Sequence, residues 1–380
     1  IPLRLVGSEM CIRDRWINRH VLSRPIAVGI GLISYPLYLW HWPVLSMLRL
    51  AAGETPPAAV RLWAVAASIG LAWFTYRVIE RPIRFGPRRA WMVATLCVSM
   101  AAIGGAGYFT YQHDGLWDRA VNRTDKSAFS AYYQAMRRTG IAVPYRTECD
   151  FMAPVTDTVR DRIADGCTTP GRNGTWFLWG DSHAQALSPA ITALLPDGFA
   201  LAQVATSSCR PSLGGTDRHV PGGRCDRANA YALEKIQALR PSVVVLVQNG
   251  AHSQTDWEAL AQHVRGLGAG KVIVVGPVPM WSPSLPEVYI NRYWGSGADH
   301  AAYGLVPGRA EDDETMRRRY ADSETVAYVS IISRLCDSTG CLAVVPGSNP
   351  VQLMSFDASH LTPLGSRYVG DLLLRPVLRP

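Results

Sequence analysis

Three long apolar runs crowd the first 111 residues, and none of comparable length follows. Ile26 to Leu50, Ala58 to Tyr76 and Ala90 to Tyr111 are each long enough, and poor enough in charge, to cross an apolar layer that takes roughly 20 helical residues. Beyond residue 112 the apolar residues come in short runs with ordinary globular spacing. The expected organisation is therefore a membrane part of three transmembrane helices followed by a soluble part. A chain that is 48% hydrophobic and 18% charged suits neither a disordered polymer nor one wholly embedded in lipid.

The charge is spread just as unevenly. Residues 1–90 hold 12 arginines and 4 acidic residues, which accounts for the whole net charge of +8. The remainder is neutral, so the basic excess lies beside the apolar runs and no nucleic-acid partner is expected. Arg77, Arg81, Arg84, Arg88 and Arg89 crowd the connection between the second and third runs, whereas Arg49 and Arg61 are the only basic residues about the connection between the first and second, Arg24 preceding the first. The positive-inside rule puts the crowded loop in the cytoplasm, and the third crossing then delivers everything after Tyr111 to the periplasmic or extracellular side. Cysteine usage bears on the same question. Six of the eight cysteines follow residue 112, an even set that reads as disulfides in an exported domain. Six cysteines allow fifteen connectivities; nearness in sequence favours Cys149–Cys167, Cys209–Cys225 and Cys336–Cys341, and buried free thiols are the alternative.

Residues 6–15, VGSEMCIRDR, look like translated sequencing-adapter read-through, so residues 1–15 are set apart as an expected artefact. The authentic chain is then expected to start near Trp16, with further helices missing upstream. Residues 16–111 form the membrane part, 112–173 a connector with a small extension, and 174–380 the catalytic domain.

The first run contains Ser34-Tyr-Pro-Leu-Tyr-Leu-Trp-His-Trp-Pro-Val44, and the second ends in Phe74-Thr-Tyr-Arg-Val-Ile-Glu-Arg-Pro-Ile-Arg84. An intramembrane histidine such as His41 is costly unless it has a partner or a task. Residues 25–84 resemble the last helices of the acyltransferase-3 membrane family. In that family the catalytic histidine and the arginines that handle the acyl-CoA donor lie on earlier helices, which have no counterpart here. His41 is therefore not given that role.

The soluble part reads as α/β. Thr175 to Trp179, Phe199 to Ala205, Ser242 to Val247, Lys271 to Val275 and Leu342 to Val345 are strand-like. They alternate with helix-like stretches at Ala184 to Leu195, Asp226 to Leu239, Asp256 to Leu267 and Glu311 to Leu335. Continuous β-branched runs such as VVVLV belong to parallel strands buried on both faces, and the alternation predicts a doubly wound parallel sheet. In such sheets the chemistry gathers at the carboxyl ends of the strands.

The first strand runs straight into Gly180-Asp-Ser-His183, where a glycine turn can stand the Ser182 hydroxyl above the sheet edge at a helix N-terminus. Near the other end, Asp357-Ala-Ser-His360 precedes Leu-Thr-Pro-Leu-Gly365. An Asp three residues before a His can hold Nδ1 and leave Nε2 for a serine. Each motif alone has a bland reading, a common tripeptide and a surface hydrogen bond; together at opposite ends of one α/β domain they point to a triad.

GDSH after the first strand and D-x-x-HLT near the C-terminus resemble the SGNH, or GDSL-type, hydrolase family over residues 174–376. The resemblance implies a flavodoxin-like three-layer sandwich, with Ser182 as nucleophile, His360 as base and Asp357 as its partner. It also implies an oxyanion hole of the Ser182 N–H, the Asn249 side chain and a backbone N–H at Ser208, with Gly214 as the rival. The full G-x-N-D pattern around Asn249 is absent.

His183 reads as structural or substrate-lining, and His252 as pocket-lining or a solvated loop residue. Trp281 and Trp294 could stack on sugar rings or merely cap the sheet. Arg317 to Arg319 mark a solvated helix face. No His/Cys cluster has metal-ligand spacing, and no glycine-rich loop has a phosphate-binding pattern.

An acyltransferase-3 tail joined to an exported SGNH domain resembles the fused O-acyltransferases of bacterial envelopes. That resemblance implies a multi-pass protein of the inner membrane, acetyl-CoA or another acyl-CoA as donor through the membrane part, and no cofactor bound by the soluble domain. It implies a glycan acceptor such as O-antigen, peptidoglycan or exopolysaccharide. An esterase removing acetyl groups is the first alternative, disfavoured by the attached helices. A degenerate glycan-binding module is the second, disfavoured by the complete Ser/His/Asp set.

Overall fold

The computed structural model describes residues 18–52, 55–86, 89–113, 125–139, 142–153, 158–214 and 223–378, in two units, Ile1–Arg119 and Ala120–Pro380. The segment 1–15 set apart above lies outside the described residues, as do Arg88 and Gly215.

In the first unit, α1 (Pro25–Ala52) is followed by α2 (Ala58–Thr75), which runs on through a π-turn to Phe85, and by α3 (Arg89–Gln112). The helices Ala58–Phe85 and Val93–Gln112 are long and apolar enough to cross a membrane by length and composition. Trp63, Trp73, Met100 and Ile103 are exposed on them, as helices that meet an apolar solvent require. Three spans were expected, and α1 has the length of the third. Its Pro36, Pro43, His41 and interleaved aromatics dilute its hydropathy, and among the described residues only the other two helices pass. Trp40 Nε1–H donates to Thr75 Oγ1 at 2.9 Å, tying α1 to α2. His41 Nδ1 lies 3.0 Å from the Leu37 carbonyl, so the ring has a partner one turn back.

The second unit opens with α4 (Asp125–Thr139), whose Tyr133 is buried and accepts the Leu353 N–H at 2.7 Å. Tyr145 is buried too, and donates to the Leu361 carbonyl. The segment read as a connector thus supplies core side chains that brace the C-terminal loop. The sheet follows, with β1 (Gly174–Gly180), β2 (Phe199–Ala205), β3 (Val243–Val247), β4 (Lys271–Val275) and β5 (Ala327–Val329) in the order β2-β1-β3-β4-β5, all parallel. Between them run α5 (Ser182–Leu194), α6 (Arg224–Leu239), α7 (Trp257–Gly266) and α8 (Gly308–Arg319); α9 (Pro363–Val369) follows the sheet and runs on through a π-turn to Leu378.

Alternate strand residues feed opposite cores. Trp176, Leu178, Val245 and Ile273 pack with Leu187 and Ile191 of α5, whereas Phe177, Trp179, Val244 and Val274 pack with Ile236 of α6 and Leu260 of α7. That two-sided burial is what the unbroken apolar runs predicted.

Two expectations fail at the far edge. The fifth strand is Ala327–Val329, not Leu342 to Val345, and it interrupts the long helix expected over Glu311 to Leu335. Gly340–Leu342 joins a separate three-stranded antiparallel sheet with His300–Ala301 and Cys336–Asp337. An edge strand paired along three residues is too short to register as a pattern. Cys149–Cys167, Cys209–Cys225 and Cys336–Cys341 are bonded as sequence nearness favoured, and Cys97 is free.

Candidate active site

In the strand order found here the connections reverse direction between β1 and β3, and ligands of doubly wound sheets bind in the crevice outside such a point. Gly180 is in register with Ala205 of β2 and Val247 of β3, so three loops leave the sheet at one level. A Cβ on Gly180 would stand 2.0 Å from the Val247 carbonyl oxygen, so only glycine lets β1 and β3 close up here. The turn that follows is capped by Asp181: its Oδ1 accepts the His183 N–H at 2.8 Å, and its Oδ2 accepts the Asn249 N–H at 2.7 Å. One carboxylate thus starts α5 and clamps the β3 loop to the β1 loop.

Ser182, half-buried, is the first residue of α5, and its hydroxyl donates to His360 Nε2 at 2.8 Å. His360 Nδ1–H donates to Asp357 Oδ2 at 2.7 Å, while Asp357 Oδ1 accepts the N–H groups of Ser359 and His360 at 3.0 and 2.9 Å. The carboxylate therefore shapes its own turn with one oxygen and orients the imidazole with the other. The turn is held from outside by the Trp281 and Leu285 N–H groups, which donate to the Ala358 and Asp357 carbonyls, and by Thr362, the N-cap of α9.

Burial alone would lower the His360 pKa, but its hydrogen bond and charge attraction to Asp357 prevail and hold it above the ordinary 6.5. Burial would likewise raise the Asp357 carboxyl; the same contacts instead bring it down to about 2. Asp357 is thus a carboxylate at neutral pH, which fixes the tautomer with Nε2 as acceptor.

After β2 the chain turns over Thr206 to Cys209, closed by the Cys209 N–H on the Thr206 carbonyl at 2.9 Å, with Ser208 in the left-handed region at φ 67°. Glycine is the ordinary occupant of that conformation. The turn hangs from Asp150, a fully buried carboxylate that accepts the Ser207 N–H and Oγ–H, the Met152 N–H and Gln185 Nε2 at 2.7 to 3.1 Å. Burial raises the Asp150 pKa despite these bonds. The Gly214 N–H is already turned to Ser212 Oγ at 3.2 Å, and the residue lies exposed six positions further on.

Asn249, exposed, accepts Arg309 Nη2 at its Oδ1 at 2.5 Å. A cleft of about 710 Å³ adjoins it, lined by Gly250, Gln254, Arg309, Asp312 and Thr315 among others, though not by Ser182 or His360. Sequence reasoning did not reach Asp150, Asp181 or Arg309. Only Asp181 left a trace, an Asp in the N-cap position ahead of a helix; the other two meet the site from far along the chain.

His183 is buried, with Nε2 sharing a hydrogen bond with Ser359 Oγ at 3.0 Å and its ring 4.4 Å from that of His360. Burial lowers its pKa, so it packs as a neutral ring behind His360 and does not line the crevice. His252 is neither pocket-lining nor solvated: it is fully buried, with Nε2 on the Val275 carbonyl at 3.1 Å. Trp281 is buried and caps the sheet, whereas Trp294 is 37% exposed beside Phe129. Arg317 and Arg318 pair with Glu314 on the open face of α8, and Arg319 reaches the Ser253 carbonyl. Glu148, Cys149 and Cys167 converge closely enough to hold an ion, but the two sulfurs are bonded to each other and offer no thiolate.

The family described as "SGNH domain (fused to AT3 domains)" matches residues 148–375. No curated protein matches the chain. Among solved structures, the periplasmic domain of a lipopolysaccharide acetyltransferase from Salmonella ser. Paratyphi A is similar at 20% identity and a TM-score of 0.49, over 68% of this chain and 99% of that one. The family match takes in more than half of the residues, from the start of the first disulfide loop to beyond α9 and including all three loops of the crevice, and the chain belongs to the family of SGNH domains fused to AT3 domains.

Proposed function

We propose that the second unit is an O-acyltransferase that passes an acyl group, in the simplest case acetyl, to a hydroxyl of an envelope glycan through an acyl-serine at Ser182. The observation that carries this reading is the unbroken hydrogen-bonded series Ser182–His360–Asp357 at the mouth of the β1/β3 crevice. Ser182 Oγ attacks the acyl carbonyl and its proton passes to His360 Nε2. The tetrahedral oxyanion is met by the Ser182 and Ser208 N–H groups and by Asn249 Nδ2. Collapse breaks the bond to the donor, whose leaving oxygen or sulfur takes the proton from His360. A sugar hydroxyl then attacks the acyl-serine, gives its proton to His360, and a second collapse releases the ester and returns the proton to Ser182.

The left-handed turn at Ser208 supports that residue over Gly214 as the backbone donor, because its N–H has no protein acceptor among the described residues. The cleft beside Asn249 offers the side chains of Gln254, Arg309, Asp312 and Thr315 as hydrogen-bonding partners, which suits a hydroxyl-rich acceptor. The acyl group comes, on this reading, from acetyl-CoA through the AT3 membrane part, and the SGNH unit needs no cofactor of its own. The arginines at the end of the Ala58–Phe85 helix and the start of α3, with the three disulfides, favour a protein of the inner membrane with this unit on the periplasmic side.

Water in place of the sugar hydroxyl gives an esterase. The full chain in detergent, given p-nitrophenyl acetate, should release nitrophenol slowly and faster when an oligosaccharide acceptor is added, with Ser182→Ala abolishing both. Turnover that no oligosaccharide accelerates would favour the esterase; full turnover by Ser182→Ala would leave the binding-module reading in front.

A further inference from the structure

Arg309 is the first arginine of α8, sixty residues beyond Asn249 in sequence, and it meets the crevice through one contact: Nη2–H donates to Asn249 Oδ1 at 2.5 Å. A guanidinium has five donors and no acceptor, so the amide atom facing it is the oxygen. The nitrogen of the same amide is then turned away from Arg309, and its two donors have no partner among the described residues. Without such a partner a surface amide exchanges its oxygen and nitrogen by a half-turn at small cost. In the flipped state a carbonyl dipole would face a developing oxyanion and oppose it.

Two further features show that the contact is built. The Asn249 N–H is clamped to Asp181 Oδ2 at 2.7 Å, so the main chain is fixed against the turn that carries Ser182 and the side-chain torsions are the freedom that remains. A Cβ on Gly250 would lie 2.6 Å from Arg309 Nη1 and 3.0 Å from Cζ, so the guanidinium occupies the space that a side chain at 250 would fill. No carboxylate is ion-paired with Arg309 among the described residues. Its other Nη2 contact is Met280 Sδ at 3.0 Å, and Nη1 is buried without a partner. The guanidinium is half-buried and Asp312 and Asp181 attract it only through space, at no ion-pairing distance among the described residues, so an ordinary structural ion pair does not explain its position.

We infer that Arg309 is a positioning residue for acyl transfer: it selects the orientation of the Asn249 amide that presents Nδ2 to the oxyanion, and polarises that amide as a donor. Gly250 is the vacancy in sequence that lets it reach. The inference rests on the proposed roles of Ser182 and Asn249.

The test is steady-state turnover of p-nitrophenyl acetate by the full chain in detergent, with thermal unfolding recorded for every variant. Asn249→Ala should lower kcat on the order of 10²-fold. Arg309→Met should lower kcat by about 10-fold while KM stays within about twofold, because the donor remains but is no longer aimed or polarised. Arg309→Lys should recover part of the loss, since an ammonium also donates to Oδ1. Gly250→Ala, which keeps the arginine but displaces its guanidinium, should reproduce the loss.

In the Asn249→Ala background, Arg309→Met or Gly250→Ala should cost nothing more. An equal loss in both backgrounds, an unchanged kcat, an effect confined to KM, or an Asn249→Ala variant as active as the parent would each overturn the inference. Should Arg309→Met fail to fold, Gly250→Ala and Arg309→Lys in the same two backgrounds decide it by the same criteria. An active Ser182→Ala variant would overturn the acyl-serine reading itself; an inactive one beside additive Arg309 losses would overturn the positioning role alone.

Discussion

His360 takes its basicity from a balance between burial, which lowers its pKa, and Asp357, which raises it by more. A base works only when deprotonated, so with the pKa above 6.5 turnover should rise with pH along a limb centred above that value and level off beyond it. Asp357→Asn removes the attraction and leaves burial unopposed. The limb should then move to lower pH, while the plateau falls by roughly 10⁴-fold because the amide no longer enforces the Nδ1–H tautomer. A pH–rate profile of both proteins checks the two effects together. A fall in the plateau with no movement of the limb would mean that Asp357 only packs.

At the scale of the element, the site is three loops leaving β1, β2 and β3 at one level, and two of them hold a non-glycine residue in the left-handed region, Ser208 after β2 and Ala251 after β3. Ser208 at φ 67° sits where a residue with a Cβ costs roughly 1–2 kcal/mol, against the roughly 0.5–1 kcal/mol that glycine gives up to chain entropy. Ser208→Gly should therefore stabilise the protein by up to about 1 kcal/mol and leave turnover close to the parent value, since the proposed role needs only the N–H. Chemical denaturation and turnover measured side by side check this. A large loss of activity would assign a task to the Ser208 hydroxyl.

The same loops explain what the sequence disclosed. The turns at Gly180–His183 and Asp357–His360 are local: a glycine, a capping Asp and an Asp three residues before a His act within one turn, and that chemistry is visible in a short window. Asp150 and Arg309 act across 57 and 60 residues on partners that no window contains. The sheet was legible where strands are long and buried on both faces, as in VVVLV, and illegible at Ala327–Val329, which is three residues long with only Val329 buried. The run Leu342 to Val345 has the same β-branched character and was read as its replacement; burial from a neighbouring small sheet imposes the same composition.

For the molecule as a whole, two features agree about its setting. Arginines gather between α2 and α3, and three disulfides staple the second unit, one of them closing the loop from Cys209, next to Ser208, to Cys225 at the start of α6. A unit outside the reducing cytoplasm can use cystine to fix the loop after β2, and loops of 16 to 18 residues make each of the longer two worth about 3 kcal/mol in a chain-entropy account. The chain belongs to the family of SGNH domains fused to AT3 domains, and the division of labour proposed above gives the membrane part the acyl donor and this unit the transfer. The account stands on the covalent acyl-serine at the crevice between β1 and β3. Its most direct test is to quench the full chain with acid during reaction with p-nitrophenyl acetate, digest it and locate the added acetyl group by mass spectrometry. The account predicts acetyl on the Ser182 peptide of the parent protein and none there in His360→Ala. Acetyl groups scattered over lysines with Ser182 unmodified, or an equal yield on Ser182 without His360, would contradict it.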